Sequence, residues 1–297
     1  MNDVPNAAPA PSCGSDTLSA RAGTDSSLPP CQECLVPVLL PPALELSLDL
    51  LRCPTCRTRP LHPDRGALRC TVGHTFDIAR HGYVGLLTGT RATSGDDAVM
   101  VQARDRFLST GAYAPIREVG ARLAADAVSE QATVVDAGCG TGYYLAGVLD
   151  QLPGARGLGL DTSVRALRSA ARAHERGAAV AWDVFRPLPL VDGAADAVLN
   201  VFAPRNPAEF HRVLRPTGRL IVVRPTGRHL SELRGRLPAM VTIDPAKEQR
   251  LHRALDPFFQ AAVTEQVEYP ATLCQAGCPG PGGDDAERTS RAPRRPE

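Results

Sequence analysis

Apolar positions fall at helical spacing before the middle of the chain and in short unbroken runs after it. Residues 96–109 carry Met100, Ala103 and Phe107 three and four apart, and Thr110-Gly111 ends the pattern. Pro115 suits a helix start, with Ile116, Val119, Leu123 and Ala127 following along one face. From Thr133 the texture alternates. Runs at 133–136 (TVVD), 157–161 (GLGLD), 178–182, 197–201 and 220–223 read as buried strands. Helical stretches follow the first strand through Leu149, run over 164–175 with Ala and Leu inside, and span 207–214. Such alternation predicts an α/β fold, a mostly parallel sheet wrapped by helices. One further strand is expected at 263–267.

The two ends have no such pattern. Residues 1–45 are rich in Ala, Pro, Ser and Gly and read as a disordered extension, and 274–297 (CQAGCPGPGGDDAERTSRAPRRPE) as a disordered tail. Between them, 46–93 is expected as a small domain of its own and 94–273 as the main domain. No run approaches the roughly 18 apolar residues of a membrane span. The N-terminus lacks the basic start and apolar stretch of a secretory signal, so a cytoplasmic location without membrane attachment is expected. Net charge is +1, so any nucleic-acid footprint must be local. Of 33 basic residues only Lys247 is a lysine, a bias that fits a GC-rich genome.

That local charge sits at 50–93, where Arg52, Arg57, Arg59, Arg65, Arg69, Arg80 and Arg91 face only Asp64 and Asp77, a balance of +5. The segment is too small to bury much core alone. It holds Cys53, Cys56, Cys70 and His74 at the spacing C-x2-C-x13-C-x3-H. A tight knuckle supplies the first pair, and a hairpin turning at Asp64-Arg65-Gly66 would bring the second alongside. Three thiolates and an imidazole close a tetrahedron around Zn²⁺ with no position left for water, so the metal would be structural. The arginines around it either meet phosphate or are solvated surface. Nine cysteines, an odd number at scattered spacing, argue against a disulfide framework, and the pair Cys31/Cys34 has no second pair nearby.

A second constellation follows the first strand: Asp136-Ala137-Gly138-Cys139-Gly140-Thr141-Gly142. The glycines allow a tight turn and close approach to a ligand. A pyrophosphate site would want G-x-G-x-x-G, and this turn lacks the third glycine at that offset and is preceded by an acid. A carboxylate there suits a ligand amine. Asp161 ends the next strand, placed to accept from a ribose diol. Trp182-Asp183 follows the third, placed to flank and hydrogen-bond an adenine, and Asn200 ends the fourth at the same mouth. Ligands in such sheets bind at the carboxyl ends of strands, so the four positions reinforce one another.

The turn resembles the E/D-x-G-x-G-x-G motif of class I (Rossmann-like) S-adenosyl-L-methionine-dependent methyltransferases over residues 130–225. Preceded by the zinc knuckle, residues 52–273 resemble the bacterial 23S rRNA guanine-N1 methyltransferases of the RlmA type. The matching stretches are RCPTC at 52–56, LRCTVGHTFDIARHGYVGLL at 68–87, GAYAPI at 111–116, DAGCGTGYYL at 136–145 and NVFAPRNPAE at 200–209. The last phrase is most similar to the branch of macrolide producers, the tylosin and mycinamicin resistance methyltransferases. The resemblance implies N1-methylation of a guanine in hairpin 35 of 23S rRNA, at nucleotide 748, and macrolide resistance. It leaves room for a homodimer. It implies that 46–93 recognises RNA, that Cys53, Cys56, Cys70 and His74 are the metal ligands, and that Tyr113, Thr141, Gly142 and His229 contact the cofactor. Residues 1–45 are additional to the family pattern. The helix and strand with which the family completes its sheet are replaced here by the tail from Cys274.

Guanine N1 carries a proton at neutral pH, and Asp96, Asp97, Glu209 or water are the candidate acceptors; no catalytic residue is singled out. The target base must leave its stack, with Tyr143, Tyr144 and Phe202 available to stack on it and Arg205 to hold its phosphate. Two other readings share the cofactor turn: a small-molecule methyltransferase, such as an antibiotic tailoring enzyme, and an RNA-binding protein without catalysis.

Overall fold

A computed structural model of the chain describes residues 40–87, 98–237, 240, 244 and 246–271. The helical turn α1 (Pro42–Glu45) leads to an antiparallel sheet of β1 (Leu61–Asp64), β2 (Ala67–Cys70) and β3 (Thr75–Asp77), followed by β4 (Val84–Gly85). Helices α2 (Ala98–Ser109) and α3 (Ala114–Ala125) precede the alternating region. That region is β5 (Thr133–Ala137), α4 (Tyr143–Gln151), β6 (Arg156–Asp161), α5 (Val164–Ala173), β7 (Gly177–Ala181), β8 (Ala195–Val201), α6 (Pro207–Val213) and β9 (Leu214–Val223). Helices α7 (Ser231–Arg236) and α8 (Lys247–Leu255) follow, neither with a buried residue.

The main sheet is parallel in the order β4-β7-β6-β5-β8-β9. Strands β5 and β7 are buried at every position, which is why they read as unbroken apolar runs. The chain winds outward in opposite directions from β5, so a crevice opens at the carboxyl ends of β5 and β8. The fold is the expected Rossmann-like α/β class, preceded by the small cysteine-bearing N-terminal segment.

The N-terminal segment does not stand on a core of its own. Leu51, Leu61, Leu68 and Phe76 belong to the same buried cluster as Leu158, Leu160, Val180 and Trp182 of the main sheet. Strand β4 extends that sheet beside β7, and Leu51 bridges Leu190. Arg156 grips Asp49 through both guanidinium nitrogens, at 2.7 and 2.8 Å, from the foot of β6. A segment with little core of its own gains one by sharing its neighbour's.

The sequence reading did not expect β4, α7 or α8, and the observed elements depart from it elsewhere as well. Residues 42–45, expected in a disordered extension, form α1, with Leu44 fully buried. Helix α2 buries Val101 and Leu108, a stripe rotated one residue from Met100-Ala103-Phe107. Helix α3 buries Ala121 and Ala124, leaving Ile116, Val119 and Leu123 half-covered, because the small side chains let it approach Leu145, Val148 and Leu149. The strand expected at 263–267 is absent. Those residues run without ladder partners, Val263 is 68% exposed, and Glu265 pairs with Arg122 at 2.6 Å instead. An extended stretch needs an adjacent strand to become part of a sheet, and none pairs with this one among the described residues. The pair Cys31/Cys34, Asp96, Asp97 and the tail 274–297 lie outside the described residues.

Candidate metal centre and cofactor crevice

The knuckle is built by backbone hydrogen bonds around two cysteines. Cys53 N donates to Thr58 O and Arg57 N to Cys53 O, with Arg57 in the left-handed region at φ 60°. Across from it, β1 and β2 turn through Arg65 (φ 45°) and Gly66 (φ 84°), the turn the sequence locates at 64–66. Gly73, at φ 100°, then folds His74 back so that His74 N donates to Cys70 Sγ at 3.3 Å. The ligand atoms of Cys53, Cys56, Cys70 and His74 all lie within 4.8 Å of one another. Cys56 Sγ and Cys70 Sγ are 3.7 Å apart, Cys53 Sγ and His74 Nδ1 3.7 Å, and Cys70 Sγ and His74 Nδ1 3.4 Å. A Zn–S bond of about 2.3 Å gives a tetrahedron with edges of roughly 3.8 Å, so these separations fit Zn²⁺ held by all four residues.

The second site is set by the turn after β5. Gly138, Gly140 and Gly142 all have positive φ, at 90°, 55° and 83°. At Gly138 an added Cβ would lie 2.4 Å from Ala203 Cβ, so the turn and the segment after β8 touch through a hydrogen-sized side chain. Replacing Gly138 by Ala therefore costs about 1–2 kcal/mol for the left-handed backbone and about 1–3 kcal/mol for overpacking. Urea denaturation should show that combined loss; an unchanged midpoint would mean that the turn is not so constrained. At Gly140 the same test finds open space, leaving the backbone accessible to a ligand.

Asp136 is 1% exposed, and neither of its carboxylate oxygens has a hydrogen-bond partner. Burial, with the charge of Asp161 added, pushes its acid up to about 8. A buried carboxylate without a partner is costly, and a ligand ammonium is the group that would complete it. Asp161 is already engaged, accepting from Gly140 N at 2.9 Å and Ser163 N at 2.8 Å, so it orders the glycine turn. Asp183 accepts from Phe185 N at 2.9 Å, beside the buried Trp182, whose Nε1 is unpartnered. Asn200 is fully buried. Its amide donates to Ala137 O at 3.0 Å and Pro204 O at 2.7 Å, tying the ends of β5 and β8 together, while Oδ1 has no partner. Thr141 is buried within the turn, and the Cys139 thiol packs towards Gly159.

Tyr113 and His229 lie 116 positions apart and meet: Tyr113 Oη and His229 Nε2 are 2.9 Å apart. Burial raises the Tyr113 hydroxyl, while burial and Arg234 lower the His229 imidazole, so the pair is neutral. Phe202 stands 6.0 Å from each of their rings and 6.2 Å from Tyr144, whose hydroxyl is buried without a partner. Phe202 holds φ 53° and is 40% exposed, a strained backbone that presents an aromatic ring at the end of β8. Arg205 is half-buried with Nε unpartnered.

Sequence reasoning placed Phe107, edge-on to Tyr113 at 4.9 Å, only in a helical stripe, and missed Tyr269, whose hydroxyl donates to Ala112 O at 2.8 Å. Neither carries a motif, so only its position could reveal it. Glu209, an expected proton acceptor, is otherwise occupied: it accepts from Leu188 N and pairs with Arg212, both at 2.6 Å.

Comparison with known proteins agrees with both halves of this arrangement. Residues 51–91 match the zinc-ribbon family described as RlmA, N-terminal, and residues 134–218 match the methyltransferase domain family. A candidate 23S rRNA (guanine-N(1)-)-methyltransferase of Micromonospora griseorubida is 49% identical over 234 residues, 72% of this chain and 78% of that protein. The 23S rRNA (guanine(748)-N(1))-methyltransferase of Streptomyces fradiae is 48% identical over 219 residues, 73% of this chain and 78% of its own. YxjB of Bacillus subtilis, a candidate of the same activity, is 37% identical over 196 residues, 64% and 69% of the two chains. A methyltransferase fold of this kind takes S-adenosylmethionine, and the ribbon takes a structural Zn²⁺. With a Cys3His ribbon sharing the core of an S-adenosylmethionine crevice, and relatives of this identity over most of their length, the chain belongs to the family of 23S rRNA guanine-N1 methyltransferases.

Proposed function

We propose that the protein methylates N1 of guanine 748 in hairpin 35 of 23S rRNA, in the cytoplasm, and thereby confers macrolide resistance. The observation that carries the target is the 48% identity to the Streptomyces fradiae protein, whose name specifies that nucleotide. The cofactor supplies an electrophilic methyl group on a sulfonium centre. Asp136 pairs with its amine, Gly138, Gly140, Thr141 and Gly142 give it close backbone approach, and Asp161 accepts from its ribose. Asp183, beside Trp182, serves the adenine, Asn200 fixes the crevice mouth, and the Tyr113–His229 pair closes over it.

The base must leave its stack to present N1, and Phe202, held out by its left-handed backbone, offers a ring to stack on. Arg205, with an unused N–H, suits the phosphate of the flipped nucleotide. Since Glu209 is held by Arg212, the N1 proton passes to Asp96, Asp97 or water. The zinc-ribbon segment, 46–93, recognises RNA, and a homodimer is the proposed assembly.

The test is tritiated methyl transfer from S-adenosylmethionine to protein-free 23S rRNA, followed by primer extension across hairpin 35. An N1 methyl blocks the Watson–Crick edge, so a new reverse-transcriptase stop next to nucleotide 748 is expected. Incorporation with the stop elsewhere would sink the target, and methylation of a small molecule without any of RNA would sink the substrate class.

A further inference from the structure

Several arginines of the main domain are held by carboxylates. Arg117 pairs with Asp150, Arg122 with Glu265, Arg156 with Asp49, Arg212 with Glu209, and Arg215 with Asp196. Helix α5 gathers three that are not. It buries Ala166, Leu167 and Ala170 and turns Arg165, Arg168 and Arg172 outward, all exposed and none with a carboxylate partner among the described residues. At i, i+3 and i+7 the three share one side of the helix and span about 10 Å along it.

A second element adds to this side. The loop between β3 and β4 is closed by Ala79 N to Tyr83 O and Gly82 N to Ala79 O, each 2.8 Å, and it rests on α5: a Cβ on Gly82 would be 3.6 Å from Ala171 Cβ. The loop presents Arg80 and His81, exposed or half-exposed, with Arg80 Nε 3.3 Å from His81 Nε2. Slight burial and then the charges of Arg80, Arg168 and Arg172 hold the His81 imidazole below its ordinary range, so the cations of both elements are felt at one point. The side begins at the crevice rim, since α5 is capped by Ser163, whose N–H is bound by Asp161.

Like charges gathered without counter-charges destabilise the chain that carries them and attract a polyanion. We propose that Arg165, Arg168 and Arg172 of α5, with Arg80 and His81 of the adjoining loop, form a phosphate-binding face that guides the rRNA backbone to the cofactor crevice. The inference rests on the rRNA reading above. It places an RNA contact on the methyltransferase sheet's own helix, in addition to the zinc knuckle. Phosphate contacts of this kind set register and affinity without reading sequence.

The test compares the full chain with R168Q/R172Q in binding a hairpin 35 RNA fragment over a range of salt. Each lost phosphate contact lowers the slope of log K against log salt by about 0.7–0.9. The double variant should lose about 1–2 from that slope, bind RNA about tenfold more weakly at moderate salt, and show a raised KM for RNA at unchanged kcat. Affinity for S-adenosylmethionine and Tm should be unchanged, and R168K/R172K should restore binding, since phosphate positioning needs charge and not a guanidinium fork. R219Q, an exposed arginine on β9 whose guanidinium donates to Thr217 O and Gly218 O, serves as the comparison. Unchanged RNA affinity and slope in R168Q/R172Q overturn the face while leaving the rRNA reading intact. An equal loss in R219Q also overturns it, because binding would then be diffuse. A wild-type chain that binds no RNA brings down the rRNA reading, and this face with it.

Discussion

Replacing Asp136 by Asn is expected to weaken S-adenosylmethionine binding by about 10²–10³-fold without loosening the fold. Breaking one partner of a buried ion pair costs about 3–5 kcal/mol, because the other charge remains buried and unpaired. Without the cofactor the balance is reversed. The Asp136 carboxylate has no hydrogen-bond partner, so the amide removes an ionisable group from a site that already disfavours its charge. The signature is therefore split: lost cofactor affinity by calorimetry, and a Tm held or raised in its absence. Loss of both together would mean that Asp136 is structural.

The same residue sets a pH dependence whose sign follows from linkage. Its folded acid lies at about 8, above the ordinary 3.8. Between those values the folded chain keeps a proton that the unfolded chain releases, so stability falls as pH rises through this window and is level above about 8. Asn at position 136 removes that slope. Pairing with an ammonium requires the ionised form, so cofactor affinity in the native chain should rise with pH towards about 8, and turn over above it as the ligand's own α-ammonium, with an ordinary value of about 8, loses its proton. An affinity independent of pH between 6 and 8 would contradict the assignment.

The second large effect is expected from removing zinc, by chelation or by Cys70→Ser. Structural zinc contributes about 10–16 kcal/mol in isolated fingers. Here part of that is offset by the core that the ribbon shares with the sheet. A net loss of even half the lower figure lowers Tm by more than about 10 °C in a chain of this size. The disturbance should not stay in the ribbon. Cys53, Cys70 and Phe76 belong to the buried cluster that contains Trp182, the chain's one tryptophan, 5% exposed. Its emission should shift to the red as the metal leaves, and cofactor affinity should fall with it because Trp182 adjoins Asp183. A red shift and lower Tm that zinc reverses would support the shared core; an unchanged emission would mean the ribbon unfolds by itself.

Local chemistry made much of this legible in advance. The spacing C-x2-C-x13-C-x3-H needs only a knuckle and a hairpin to converge, and both depend on residues adjacent in sequence, such as Arg65-Gly66 and Gly73. The parallel strands were readable because a strand buried on both faces is an unbroken apolar run. The glycine turn fixed where the crevice opens, since a strand end and the next helix start are neighbours in the chain. Where the reading failed, the deciding partner was distant. A strand was expected at 263–267, but a ladder needs a neighbour, and Glu265 found Arg122 instead.

The sequence by itself thus determined the metal ligands' spacing, the α/β class and the acid that precedes the glycine turn. Tertiary structure alone decided that Tyr113 meets His229 across 116 residues, that Phe202 is held in a left-handed conformation beside them, and that the ribbon borrows the sheet's core. It alone laid the loop that carries Arg80 and His81 against α5, where Gly82 faces Ala171. The physical reason is range. Turns, spacings and periodicities are set by bonds between near neighbours, whereas burial, ion pairing and the cost of an unpartnered carboxylate depend on which remote surfaces close over them.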